Sequence, residues 1–142
     1  MTEPAVFRKT LEKTEAWLEA VARRMGSADA ERGYRALRSV LHALRDRLPV
    51  DEAAQLGAQM PMLVRGIYYE GWKPADTPEK WRDGQALMDR IAADMPDLDP
   101  TQRERAAQAV FAVLDEFIGS GETEDVRQAM PEEVRELWQQ AA

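Results

Sequence analysis

Met60-Pro61-Met62-Leu63-Val64-Arg65 recurs seventy positions later as Met130-Pro131-Glu132-Glu133-Val134-Arg135. Extended outward without a gap, the same offset lays residues 17–72 over 87–142. Of these 56 pairs 12 are identical, among them Ala22/Ala92, Asp29/Asp99, Arg35/Arg105, Val40/Val110 and Leu44/Leu114, where composition alone would give about four. Apolar character also persists at Val21/Ile91, Leu41/Phe111, Leu48/Ile118 and Leu56/Val126. The pattern is that of a duplicated structural unit. Residues common to both copies are expected to serve the scaffold. Residues special to one copy are the better candidates for function.

The periodicity inside each copy is helical. Phe7, Leu11, Thr14, Leu18, Val21 and Met25 follow three-and-four spacing and share one helix face. Gly26-Ser27 ends this helix, and Asp29 is placed to cap the next by accepting from a free backbone N–H. Leu37, Val40, Leu41, Leu44 and Leu48 form the second apolar stripe. Pro49 stops it, since a proline inside a helix removes a hydrogen bond and clashes with the preceding turn. Asp51 opens a short third helix through Ala53, Ala54 and Leu56, and Pro61 starts a fourth.

Residues 73–78 read as a linker, with Thr77-Pro78 capping a helix from about Glu79 to Asp94. Asp99-Pro100 caps the long helix carrying Ala106, Val110, Val113, Leu114 and Phe117, and Gly119-Ser120-Gly121 breaks it. A short helix follows, and Pro131 starts the last. No stretch alternates as a strand does. The expected fold is all-α: two tandem pseudo-symmetric four-helix repeats packed as one domain. Repeat one spans about 5–72, the linker 73–78 and repeat two about 79–142.

Composition bounds the function. The chain has 142 residues, enough to bury roughly 70% of its unfolded surface in one domain. It has no cysteine, so disulfides and thiolate chemistry are excluded. No apolar run reaches the ~18 residues of a membrane span. Met1-Thr2-Glu3-Pro4 lacks the basic start and apolar stretch of a signal peptide, so a cytoplasmic address and no membrane partner are expected. The net charge of −7 is uneven: residues 17–72 hold eight Arg and seven acids, residues 87–142 five Arg and thirteen acids. An acidic second half repels phosphate backbones and argues against nucleic acid.

Three clusters stand out. Tyr34, Arg38, His42 and Arg45 share a strip beside the core stripe of the second helix, and Asp46 follows. Seventy residues on, the strip becomes Glu104, Gln108, Ala112 and Asp115, so it belongs to the first copy alone. Two guanidiniums and an imidazole on one strip suit a carboxylate or phosphate. The plainer expectation is that the arginines pair with acids across the repeat interface and that His42 is a satisfied packing histidine. Tyr69 and Trp72 do not recur; they suit stacking on a ligand, anchoring a partner, or sealing the junction between the copies. Arg65/Arg135 and Tyr68/Trp138 recur in both copies and read as structural.

No catalytic constellation accompanies His42, the single histidine, although Asp46 lies one turn on. Asp94, Asp97 and Asp99 lack the glycine and terminal glutamate of an EF-hand, so no metal or cofactor is expected.

The run Leu37-Arg38-Ser39-Val40-Leu41-His42-Ala43-Leu44-Arg45-Asp46-Arg47-Leu48-Pro49 carries a further signal. With it go Thr14-Glu15-Ala16-Trp17-Leu18, Ala58-Gln59-Met60-Pro61 and Arg65-Gly66-Ile67-Tyr68-Tyr69-Glu70-Gly71-Trp72. This combination resembles an uncharacterised bacterial family, domain of unknown function 2267, over nearly the whole chain. Ser39 and Met60 depart mildly from it, where Ala and Leu are expected. The resemblance implies a small soluble all-α bacterial protein and assigns no activity, cofactor or catalytic residue.

Three functions follow as expectations. The first is a non-enzymatic helical module that binds a protein partner or self-associates. The second is an anionic-ligand site or enzyme between the repeats, using Arg38, His42 and Arg45 with Asp46 orienting His42. The third, more remote, is a nucleic-acid regulator.

Overall fold

In a computed structural model, residues 3–141 are described and form eight α-helices with no strand among them. Met1 and Thr2, read above as part of a leaderless start, and Ala142, the end of repeat two, lie outside the described residues. The helices are α1 (Ala5–Arg24), α2 (Ala30–Arg47), α3 (Val50–Ala58), α4 (Met62–Tyr69), α5 (Gln85–Asp94), α6 (Pro100–Phe117), α7 (Ser120–Gln128) and α8 (Glu132–Gln139). Together they pack as one domain.

The two long helices, α2 and α6, supply most of the core. Leu37, Val40, Leu41, Leu44 and Leu48 are fully buried, as are Val110, Phe111, Val113 and Leu114. Each such side chain contributes roughly 2 kcal/mol through removal of apolar surface from water. α1 packs on both α2 and α6, α5 bridges the same two helices, and α3 meets α7. Phe111 stacks flat on Trp138 at 4.4 Å between ring centres, which seats α8 on α6.

The caps follow the sequence. Asp29 accepts from the Glu31 N–H at 3.0 Å. Asp99 and Gln102 form a reciprocal capping box, satisfying two N–H groups that α6 leaves unpaired. Gly26 closes α1 at φ +80°, a backbone conformation that disfavours any residue with a Cβ. Gly33 serves a different need. A Cβ there would stand 2.1 Å from the Leu18 carbonyl oxygen, so its absence lets α1 and α2 cross backbone to backbone.

Two expectations are corrected. Residues 79–84 are not helical, and α5 begins at Gln85. Their polar groups are drawn to tertiary partners instead. The Glu79 N–H donates to the Asp46 carbonyl at the end of α2, and Arg47 donates to the Trp81 carbonyl at 2.9 Å. The Gly84 N–H donates to Glu133 of α8 at 3.1 Å. The third helix starts at Val50, with Pro49 rather than Asp51 at its boundary.

The α1 stripe also divides. Thr14 and Val21 are buried, whereas Phe7 and Leu11 are 55% and 47% exposed. The first turns of α1 outrun the helices that cover the rest of it.

Candidate functional site

Arg38, His42 and Arg45 are four and three residues apart on α2, so their side chains emerge on one face. That face meets the C-terminal end of α4, where the last carbonyls have no partner within the helix. His42 Nε2 bonds the Ile67 carbonyl at 2.7 Å. Arg45 Nη1 donates to the carbonyls of Tyr68 at 2.8 Å and Glu70 at 2.9 Å. Arg38 donates to the Glu70 carboxylate from two nitrogens, at 3.1 and 3.3 Å. Tyr34 lies half-buried one turn earlier. The strip is a cap: cations and an imidazole donor close the negative end of a neighbouring helix.

Asp46 carries the arrangement onward. It accepts from Arg45 at 2.8 and 3.2 Å and from Arg90 of α5 at 2.9 Å. Arg90 also grips both oxygens of Glu79 at 2.7 Å, and Glu79 accepts from the Trp81 indole at 3.1 Å. The end of α2 thereby holds α4 on one side and the 79–84 crossover with α5 on the other.

Burial is the largest influence on Asp46 and works to raise its pKa. The hydrogen bonds and charges of Arg45 and Arg90 overcome it, so the carboxyl sits below its ordinary range. For His42 burial is again the largest influence and lowers the pKa. The Ile67 carbonyl opposes this, Arg45 and Arg38 reinforce it, and the net position is below 6.5.

Seventy residues on from Arg45, Asp115 has the opposite charge for a matching reason. Its carboxylate accepts from the Trp138 indole at 3.0 Å, from Arg127 at 3.2 Å and from the Thr123 hydroxyl. Where Arg45 meets carbonyl acceptors, Asp115 meets donors. Trp138 needs an acceptor for its N–H, whereas the buried Tyr68 hydroxyl donates to the Ala53 carbonyl at 2.7 Å.

Arg65 donates to the carbonyls of Gly57 at 3.0 Å and Met60 at 2.9 Å, closing the end of α3. Arg135 donates to the Met130 carbonyl at 2.6 Å, just after α7. Tyr69 and Trp72 stack at 5.3 Å and are half-buried. The Tyr69 ring occupies the space a Cβ on Gly57 would need, and its hydroxyl donates to the Ala54 carbonyl at 3.3 Å. Much of both side chains is therefore spent inside the fold.

The three aspartates weighed as metal ligands have other partners. Asp94 accepts from the Ser39 hydroxyl, Asp97 pairs with Arg32 at 2.9 Å, and Asp99 caps α6. Among the described residues no group of three or more His, Asp or Glu side chains is arranged to hold a metal ion. No helix among them is long and apolar enough to cross a membrane.

A surface the sequence reading passed over lies where α1 meets α4. The Leu63 N–H donates to the Thr10 hydroxyl at 2.9 Å, fixing the start of α4 against α1. Val6, Phe7 and Leu11 of α1 and Met62 and Leu63 of α4 remain between 41% and 55% exposed. Beside it a groove of about 750 Å³ runs between α1, the α3–α4 turn and the end of α6. Trp17 and Phe117 meet edge to face in it, with ring centres 5.5 Å apart. The sequence does hold a signal for this surface: Met62-Leu63 becomes Glu132-Glu133 in the second copy.

A search of curated proteins finds no match to this chain. A family model described as "Uncharacterized conserved protein (DUF2267)" matches residues 14–137, from the third turn of α1 into α8. The match agrees with the resemblance carried by the α2 and α4 motifs, and the chain belongs to the DUF2267 family of uncharacterized conserved proteins.

Proposed function

We propose that this chain is a non-enzymatic helical module that binds a protein partner or self-associates through the surface where α1 meets α4. One observation carries the reading. Met62 and Leu63 open α4 with apolar side chains held in solvent, and the second copy has glutamates at the same two places. Acids suit the first turn of a helix because they face its positive end. Two hydrophobes there that leave about half their surface in water are unlike that pattern, and contiguous exposed apolar surface marks interaction sites.

The scaffold in this reading is a tandem duplication, with repeat one at about 5–72, a linker at 73–78 and repeat two at about 79–142. Matching element lengths support it. α2 and α6 have 18 residues each, α3 and α7 nine, α4 and α8 eight, and each pair begins seventy residues apart.

The anionic-ligand reading of Tyr34, Arg38, His42, Arg45 and Asp46 loses support from the geometry. Donors that would hold a ligand are engaged with α4 carbonyls, Glu70 and Asp46. Tyr69 and Trp72 are half-buried and stacked on each other, and the Tyr69 hydroxyl is engaged with Ala54.

The test is association measured on two variants. Met62→Glu with Leu63→Glu should abolish self-association or partner capture, while Tyr69→Ala with Trp72→Ala should leave association in whatever protein still folds. The reverse result would move the interface to Tyr69 and Trp72.

A further inference from the structure

Resting on that reading, we propose that the groove between α1, the α3–α4 turn and α6 takes an acidic amphipathic helix of a partner protein. Phe117 and Met62 supply the exposed apolar side chains of the groove, over the nearly buried Trp17 and Met60. Such a lining suits the i, i+3 or i+4 and i+7 side chains of a docked helix.

The charge on the banks decides the occupant. Lys13 lines the α1 bank, with Lys9 one turn before it on the same strip, and Arg65 lines the opposite bank. None of these three forms an ion pair among the described residues. The Gly57 and Met60 carbonyls take Arg65 Nε and Nη2, so only Nη1 is left to meet a partner's carboxylate. Glu116, at the α6 end, faces Arg24 at 3.6 Å. Lys13 and Arg65 thus place cations on two sides of the groove, against the single acid Glu116 in its lining. A helix with an apolar stripe between two acidic flanks complements them. The overhanging turns of α1 from a second copy fit less well, since Arg8 and Lys9 flank their apolar side chains.

The test is selection from a displayed library of helical peptides with a fixed apolar stripe and randomised flanks. Selection is run on the wild-type protein and on Met62→Glu/Leu63→Glu. Those glutamates suit a first helical turn, and circular dichroism and melting check that each variant folds. Peptides enriched on the wild type should carry Asp or Glu on both flanks and should vanish on the double variant. A selected peptide should bind Lys13→Glu about tenfold more weakly at low salt, with a smaller difference at high salt.

Absence of enrichment, neutral or basic flanks, or enrichment that survives the double variant would overturn the proposal. A wild-type dimer that Met62→Glu/Leu63→Glu dissolves would also overturn it by giving the groove to a second copy. That last result leaves the interaction module standing, because association through the same surface is then retained.

Discussion

Arg45 Nη1 lies 2.8 Å from the carbonyl oxygen of Tyr68, so a side chain near the end of α2 closes the end of α4. Only 4% of Arg45 is exposed, and its charge is balanced by Asp46 and two carbonyls rather than by water. The cluster most suggestive of ligand chemistry in the sequence is thus a fixed joint between helices.

Removing that joint should be costly. Arg45→Met leaves Asp46 with Arg90 alone and two carbonyls without their donor, and is expected to destabilise the fold by about 3 kcal/mol. Urea unfolding measures this directly. A loss below about 1 kcal/mol would mean that water replaces the guanidinium freely.

His42 gives the joint a pH dependence. Its folded pKa lies below the unfolded value of 6.5, so the unfolded chain binds the proton more readily. Stability from this group is complete above pH 6.5 and falls as pH drops from there through the folded pKa. His42→Gln should flatten that part of the stability profile. Asp46 acts in a lower window: its folded pKa lies below 3.8, so its contribution is present above that value and fades as pH falls through the folded one. A His42 titration by NMR above 6.5 would contradict the assigned direction.

Two glycines should respond oppositely to alanine. At Gly33 a Cβ would meet the Leu18 carbonyl at 2.1 Å, and the crossing of α1 and α2 has to open. Gly33→Ala should cost about 3 kcal/mol. Gly66 sits inside α4 with nothing within 4 Å of a Cβ, so Gly66→Ala should stabilise by roughly 0.5–1 kcal/mol through helix propensity. Thermal melts of the two variants should move in opposite directions.

Arg90 is expected to pin the crossover. Arg90→Gln frees Glu79 and one side of Asp46. Amide exchange should then accelerate across residues 79–84, while the α2 and α6 cores keep their protection. Unchanged exchange in the crossover would assign its order to Arg47 and Glu133 instead.

Much of the fold is legible along the chain because its signals are local. Asp29 and Asp99 announce helix starts, Gly26 a helix end, and Leu37 to Leu48 a core face. The crossover is not legible, because Glu79, Trp81 and Gly84 find their partners on α2, α5 and α8 rather than among near neighbours. The Arg38–His42–Arg45 strip is visible as a strip, but its acceptors belong to a helix 25 or so residues away. Phe7 and Leu11 carry the period of a buried face, yet periodicity cannot tell where the covering helices stop.

The most direct test of the central claim is native mass spectrometry of the protein purified gently from its host, beside Met62→Glu/Leu63→Glu. The account predicts a second polypeptide at fixed stoichiometry, a partner or another copy, on the wild type and its loss from the variant. A monomer carrying a small molecule, equally in both, would contradict it and return attention to Arg38, His42 and Arg45.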